Sequence, residues 1–442
     1  MVLHIEAEDF VMTIAVDLRN FVQPDRVHRD LYEDPQIFEM EMERLFRRAW
    51  TYAGHVSQVP KIGDFLCTTI GTQPLVMTRH TDGKVYVLHN RCGHRGVKVV
   101  NTEQGNAKLL RCMFHGWTFR ANGELAGLTQ PEGYPPDFNP DPVACGMPRV
   151  ARMEIYHGFV FVSLSADGPD FKDYFGGVLS SLDDLVAYAP EGEVEITGGL
   201  LRYGYPGNWK FQADNSCDMY HVVYSHESSR KGNTQYIRRP GDTGGIPFFD
   251  KSNKVVTFDA SGLWAFENGH GWEGAVVQSH ENTSKWYQEY EARLEKQHGK
   301  ERTQQILTRK RHNTIFYPNL VIQDLNMHVR LIRPHRVDLT EILIYPIKLK
   351  GAPDEMFIES IRMLNTTNSA ASMTQADDVE AFIRGHAGLR TKDANPWVLI
   401  ARGDGTETPD PAYEKGYRTF GSSELLLRKQ YQSWLNLMTQ GA

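Results

Sequence analysis

Two short clusters carry the side chains best suited to chemistry in this chain. Cys92-Gly93-His94 and Cys112-Met113-Phe114-His115 put two thiolates and two imidazoles into 24 residues, with 17 residues between the pairs. Each loop offers one soft sulfur ligand and one imidazole from its tip. That mixture suits a sulfide-bridged two-iron cluster in which two cysteines hold one iron and two histidines the other. Imidazoles in place of two thiolates raise the reduction potential above that of an all-cysteine cluster. Zinc accepts the same ligands, so a structural zinc site is the competing reading. Zinc fingers usually pair Cys with Cys and His with His, and neither loop here does. Gly93, Gly96 and Gly116 supply permissive backbone for tight ligand loops. The segment 92–115 therefore reads as an electron port.

A second metal-capable group follows Asn208-Trp209-Lys210: His221 and His226, preceded by Asp218. Two histidines and one carboxylate leave open positions on a non-haem iron(II) for dioxygen. Asp377 or Asp378 can supply the carboxylate, from a predicted helix whose apolar positions are Met373, Val379, Phe382 and Ile383. At about 100° per residue, His221 and His226 stand about 140° apart on an ideal helix, so the helix must end or bulge between them. Asp218 and His221, three apart, share a face, and the carboxylate can accept the outer N–H of the imidazole and orient it. Isolated histidine pairs are mostly structural. A chain that already holds an electron port, however, needs somewhere to send the electrons.

Elements must position these groups. Asp34-Pro35 starts a helix with Phe38, Met42, Leu45, Phe46 and Trp50 at helical spacing. From about residue 51 short β runs take over: 65–70, 75–79 and 85–89, the last two turned by Asp82-Gly83, with a strand at 158–164 closing the region. Three units follow: 1–50, a helical segment packing on the catalytic part; 51–165, a small antiparallel β domain carrying the cluster; and 166–442, the catalytic domain. In the last, β runs at 195–205 and 313–323 and a hairpin of 327–333 with 340–348 around Val337-Asp338 predict an antiparallel sheet flanked by helices. The fold class is α+β. The charged stretch 284–311, with Trp286, Tyr290 and Leu294 spaced by four, predicts a surface helix pair. Leu427, Tyr431, Trp434, Leu435 and Met438 predict a terminal helix packed on its own core.

The bulk properties exclude other classes. A net charge of −7 lacks the basic footprint that nucleic acid requires. Five cysteines are too few for a disulfide framework and fit a reducing cytoplasm; Cys67, Cys145 and Cys217 read as small buried hydrophobes. Glu6, Glu8 and Asp9 stand where an export signal would carry basic residues, and the run 159–164 is far short of the roughly 20 residues that span a bilayer. No Gly-x-Gly-x-x-Gly joins a predicted strand to a helix, so a nicotinamide cofactor would act through another polypeptide.

Together, Cys92-x-His94, Cys112-x2-His115, Asn208-Trp209-Lys210, Asp218-x-Tyr220-His221-x4-His226 and the late carboxylate resemble the catalytic α subunit of Rieske non-haem iron aromatic-ring-hydroxylating oxygenases, over nearly the whole chain. Residues 316–319, 330–334 and 376–382 are most similar to the benzoate, anthranilate and halobenzoate dioxygenases. The resemblance implies a [2Fe–2S] cluster on Cys92, His94, Cys112 and His115, and a mononuclear Fe(II) on His221, His226 and Asp378. Asp378 is preferred to Asp377 because the second aspartate of the pair carries that role. It implies an active-site asparagine at Asn215. Asp218 matches the aspartate that joins a cluster histidine of one subunit to an iron-ligating histidine of its neighbour, so His115 and His221 are its expected partners. The implied assembly is a trimer, α3 alone or α3β3 with a small β subunit. The implied activity is that of a dioxygenase in aromatic catabolism, taking NADH-derived electrons from a separate reductase, with or without a ferredoxin between. It uses O2 to cis-dihydroxylate an aromatic substrate, in this group an aromatic carboxylic acid. The alternative is a Rieske monooxygenase, hydroxylating a ring or removing an O-methyl group with the same metals. Asp214 departs from the glutamate common in the family. Arg330 and Arg333 are expected at the surface or an interface, and no substrate contact is assigned.

Overall fold

The computed structural model describes residues 17–227, 258–274, 284–308, 311–324, 326–372 and 374–440. The acidic stretch with Glu6, Glu8 and Asp9, and Met373 of the predicted helix, lie outside them. After a single helical turn at Asp30–Glu33, the expected helix begins where Asp34 and Pro35 require. The Asp34 carboxylate accepts the Gln36 N–H, and Pro35, with no N–H to leave unpaired, opens α1 (Pro35–Met40). The run continues through a π turn (Glu41–Leu45) into α2 (Phe46–Arg48). Ile37, Phe38, Met42, Leu45 and Phe46 are buried, and so is Glu41 at 0% exposure. Glu41 is three residues after Phe38 and four before Leu45, so spacing alone puts it on the apolar face.

Its partners come from two distant helices. Glu41 Oε1 accepts from Lys210 Nζ at 2.5 Å and Trp434 Nε1 at 2.7 Å, and Oε2 accepts from Trp209 Nε1 at 2.8 Å. This buried pair clamps the N-terminal helix to the segment that leads into His221. Glu41→Ala is expected to destabilise the fold by about 3–5 kcal/mol, because it leaves the Lys210 ammonium buried without its counter-charge. The double variant Glu41→Leu with Lys210→Met should cost much less than the two single changes summed. Denaturant midpoints of the four proteins check this; additive losses would show that the pair is not coupled.

The cluster region is a four-stranded antiparallel sheet in the order Val85–His89, Gln73–Arg79, Asp64–Ile70, Gln104–Asn106, with Gly83 at φ +79° in the Asp82-Gly83 turn. The strand Phe159–Ser163 does not join that sheet. It pairs with Arg152–Tyr156 and Thr51–His55 in a sheet of its own, which explains why all five of its residues are buried: Phe161 packs on Phe316 of the catalytic region, with ring centroids 5.8 Å apart.

The catalytic sheet has ten antiparallel strands. At its centre are β1 (Leu201–Tyr205), β2 (Leu320–Gln323), β3 (His328–Arg336) and β4 (Leu339–Leu349), with β1 and β3 flanking β4 and β2 next to β3. The run expected at 195–205 is two strands, broken where Gly198 and Gly199 take φ of +83° and +120°. The run at 313–323 is likewise two, Thr314–Phe316 and Leu320–Gln323, parted at Pro318, which has no N–H for a ladder. Helices follow as α3 (Trp209–Asn215), α4 (Val222–Ser225), the surface pair α5 (Lys285–His298) and α6 (Lys300–Thr308), α7 (Gln375–Leu389) and α8 (Leu425–Thr439). The surface pair turns only Tyr290, Leu294, Thr303 and Ile306 inward, and α8 packs Leu427, Tyr431, Trp434 and Met438 on its own core. One face of the sheet meets the cluster region, where Arg333 Nη2 donates to Thr68 Oγ1 at 3.2 Å and Arg202 pairs with Glu103 at 2.6 Å. The opposite face carries the iron-ligand candidates. Tyr203 Oη donates to Gln212 Oε1 of α3 at 3.2 Å, and the Tyr205 ring lies 5.1 Å from Phe382 of α7.

Candidate metal centres

The two cluster loops are conformational twins. Cys92 N–H donates to Val97 O and Gly96 N–H returns to Cys92 O; Cys112 N–H donates to Trp117 O and Gly116 N–H returns to Cys112 O. Each loop closes through its glycine, Gly96 at φ +73° and Gly116 at φ +70°, values that L side chains rarely adopt. Gly93 serves differently: a Cβ there would stand 2.2 Å from the Cys145 carbonyl oxygen, so only glycine lets the two backbones meet.

Cys92 and Cys112 are buried, His94 is half-buried and His115 is exposed, with Met113 and Phe114 exposed beside it. Burial raises the Cys92 thiol, the His94 N–H pulls it down, and the neighbouring Cys112 sulfur raises it again, leaving it above its usual value. The His94 ring stacks on Trp117 at 4.7 Å and stands 4.9 Å from the His115 ring. A single zinc needs its four donors within about 4 Å of one another. Among the described residues, the one set of three or more such donors lying within 4.8 Å is His221, His226 and Asp378, so the Cys/His set is spread too widely for one ion. Its two sulfurs and two imidazoles fit a two-iron cluster. Of the other cysteines, Cys217 is buried and Cys67 and Cys145 are half-buried; all three are free thiols.

At the second centre, helix geometry changes where the histidines require it. Asn208 caps α3 by accepting the Lys210 N–H; α3 ends at Asn215; and α4 is only four residues long, with His221 just before it and His226 just after, at φ −96° and ψ 26°. Asp378 arrives from the first turn of α7, whose buried face is Gln375, Asp378, Phe382 and His386. Asp378 Oδ1 lies 3.4 Å from Nε2 of both His221 and His226. Asp377, the other candidate, meets the outer Nδ1 of His226 at 3.4 Å and not its inward Nε2. Asn215 Nδ2 lies 3.0 Å from His221 Nε2 and 3.1 Å from Asp378 Oδ1, at the edge of the triad. Burial lowers the His221 pKa, but Asp218 and then Asp378 raise it to about 10: the carboxylates favour a cation here, and a metal ion held by these residues would take the place of that proton.

Two polar groups around this centre have partners that spacing does not reveal, and a third lies where spacing does not place it. Asp214 is fully matched despite its shorter side chain: it accepts from Tyr32 Oη at 2.7 Å and from Tyr431 Oη at 3.0 Å, while burial pushes its carboxyl up to about 7. Glu41 holds Lys210 as described above. Arg330 is not at the surface or an interface, as its polarity suggested: it is 4% exposed in the middle of β3. Burial pushes the Asp378 carboxyl up, but His221, then His226 and Arg330, hold it below its usual range, so the Arg330 guanidinium is within electrostatic reach of the triad. Arg333 is the interface residue of the two.

Residues 49–138 match the Rieske [2Fe–2S] domain, and residues 187–440 match the catalytic domain of the ring-hydroxylating alpha subunit. The chain belongs to the ring-hydroxylating oxygenase alpha-subunit family. This alpha subunit is 31% identical to the anthranilate 1,2-dioxygenase large subunit of Acinetobacter baylyi over 86% of its own length and 80% of the relative's. It is 32% identical to the 2-halobenzoate 1,2-dioxygenase large subunit of Burkholderia cepacia, over 87% and 83%. Its fold superposes on naphthalene 1,2-dioxygenase, solved with indole in the active site, with a TM-score of 0.78 at 24% identity, covering 94% of this chain and 92% of that one. The alpha subunit is an oxidoreductase that incorporates O2, with a Rieske cluster and a non-haem iron as cofactors. Among its described residues no helix is long and apolar enough to cross a membrane.

Proposed function

We propose that this alpha subunit is the terminal oxygenase of a multicomponent system that cis-dihydroxylates an aromatic carboxylic acid of the benzoate or anthranilate type. Cys92, His94, Cys112 and His115 hold the [2Fe–2S] cluster, and His221, His226 and Asp378 hold the mononuclear iron. The observation that carries this reading is the convergence of Asp378 Oδ1 on the Nε2 atoms of both histidines in a chain that also holds paired Cys/His loops. The cluster supplies electrons and the iron a place for dioxygen. The protein's own residues orient and exclude: Asp218 and Asp377 engage the outer nitrogens of His221 and His226, fixing which nitrogen faces inward, and Asn215 closes one side of the triad. Electrons come from NADH through a separate reductase, with or without a ferredoxin. The assembly is a trimer of alpha subunits, α3 or α3β3, in the cytoplasm, where free thiols stay reduced.

The purified protein is expected to contain about three irons and two acid-labile sulfides per chain. With a compatible reductase, NADH and 18O2, benzoate or anthranilate should yield a product carrying both labelled atoms. A single labelled atom would make the enzyme a monooxygenase. Zinc without sulfide would end the oxygenase reading altogether.

A further inference from the structure

We propose that Arg330 is the anchor for the substrate's carboxylate, an inference that deepens the function proposed above and rests on it. Arg330 is buried in a central strand, and among the described residues no carboxylate lies within ion-pair distance of it; its Nε is buried and donates to nothing. The difference lies in the carboxylates: Arg311 and Arg333 also have nitrogens with no hydrogen-bond partner, but buried Arg311 meets Asp184 at 2.7 Å, and half-buried Arg333 lies 3.6 Å from Glu341. Burying a guanidinium without a contacting anion is costly; Asp378 acts on Arg330 only from beyond ion-pair distance, so a contacting anion would complete the site.

Strand register shows where the side chain points. Residues directly opposite in antiparallel strands project from the same face. Arg330 opposes Ile344, Ile332 opposes Ile342, and Ile342 opposes Tyr203, so Arg330 and Tyr203 share a face. Tyr203 bonds to Gln212, Gln212 Nε2 reaches Asn215 Oδ1 at 3.4 Å, and Asn215 touches both His221 and Asp378. Arg330 therefore faces the side of the sheet on which the iron ligands sit. The same face carries further buried atoms with no partner: both ring nitrogens of His328, and Oε1 of Gln323, which opposes His328 across β2 and β3. On α7, one turn before Asp378, neither amide atom of Gln375 has a partner.

The donors in this set, Arg330 Nε, Gln375 Nε2 and one nitrogen of His328, suit a compact anionic head with several acceptor atoms, joined to an apolar body; the amide oxygens of Gln323 and Gln375 are acceptors and would not pair with that head. A carboxylate meets a guanidinium through two parallel hydrogen bonds, which fixes the plane of the head and hence of an attached ring.

The test uses the reconstituted holoenzyme with benzoate, and benzamide as its neutral counterpart. Arg330→Gln should weaken benzoate binding, measured by calorimetry, by about 30-fold or more, while benzamide binding changes little. Arg330→Lys, which keeps the charge but loses the fork, should fall between. In turnover, KM for benzoate should rise more than kcat falls. Without ligand, Arg330→Gln should melt higher than the wild type, because an unmatched charge has been removed from the interior, and benzoate should raise the wild-type Tm but not the variant's. Equal benzoate affinity in wild type and Arg330→Gln would overturn the proposal, as would a lower unliganded Tm in the variant, which would mark Arg330 as a structural cation. Oxidation of neutral arenes by a wild type that ignores benzoate would overturn the anchor and leave the oxygenase reading standing. Arg330-dependent benzoate binding without any oxidation would keep the anchor and sink the dioxygenase.

Discussion

Asp378→Ala is expected to strip the mononuclear iron from the alpha subunit while the visible absorption of the Rieske cluster survives unchanged. Asp378 Oδ1 is the carboxylate atom that lies 3.4 Å from both inward-facing imidazole nitrogens. Its neighbour cannot substitute: Asp377 is about 100° further round the helix and is engaged with the outer nitrogen of His226. Two imidazoles alone make a weak site for a metal that prefers mixed nitrogen and oxygen ligands. Removing an outer-shell partner of a metal ligand typically costs roughly 10–100-fold in affinity or activity, so losing a ligand itself should exceed about 100-fold. Asn215→Ala is the companion variant. It touches both His221 and Asp378 without being suited to ligate, and its loss should fall within that 10–100-fold band with iron still present. Iron and sulfide analysis beside the cluster spectrum separates the two. Full iron retention in Asp378→Ala would refute the ligand assignment.

What could be read from the chain, and what could not, divides along sequence distance. The cluster loops were legible because everything that shapes them is local: ligands, closing glycines and the returning N–H bonds all fall within six residues of each cysteine. The break between His221 and His226 was legible for the same reason, since two ligands about 140° apart on a helix cannot serve one ion, and the chain ends α4 before His226. Individual β runs were visible, but their partners were not. Nothing in the alternation of 417–419 announces that it lies beside 263–265 in the catalytic sheet, or that 159–163 leaves the cluster meander for a sheet of its own.

Buried charges were the least legible. Glu41 meets its tryptophans at separations of 168 and 393 residues, and Asp214 meets Tyr431 across 217. A signal did exist. Glu41 stands on an apolar helical stripe, and Arg330 stands in a strand between Val329 and Leu331 on one face and beside Ile332 on its own. A charge at a position that periodicity assigns to the core poses a question about its partner, and spacing cannot answer it when the partner is hundreds of residues away or is a ligand.

Asp218→Asn should be the most informative single change, because it is expected to keep both metal centres and still stop the enzyme. Asp218 performs two tasks with different atoms. Its Oδ1 accepts the backbone N–H groups of Tyr220 at 2.6 Å and His221 at 3.2 Å, shaping the turn between α3 and α4, while Oδ2 stands 3.5 Å from His221 Nδ1. Burial opposes its charge, but His221 and those two N–H groups hold its carboxyl below the usual range, so Asp218 is an anion at working pH. Asparagine keeps an oxygen for the turn, and the iron ligands should therefore stay in place. It replaces the oxygen facing Nδ1 with an amide that cannot accept a proton's hydrogen bond, and it removes the negative charge. If Asp218 is the link through which a neighbouring subunit's cluster feeds this iron, turnover should drop by about 100-fold, the upper end of the outer-partner range. After one round of reduction the cluster should then stay reduced in the presence of substrate and O2. A merely structural Asp218 predicts the opposite pattern: iron lost in proportion to activity, or turnover near normal with the cluster reoxidised at the wild-type rate. Asp218→Ala, which removes the turn's acceptor as well, should add iron loss to the defect, so the difference between the two variants isolates the electron-transfer role from the structural one.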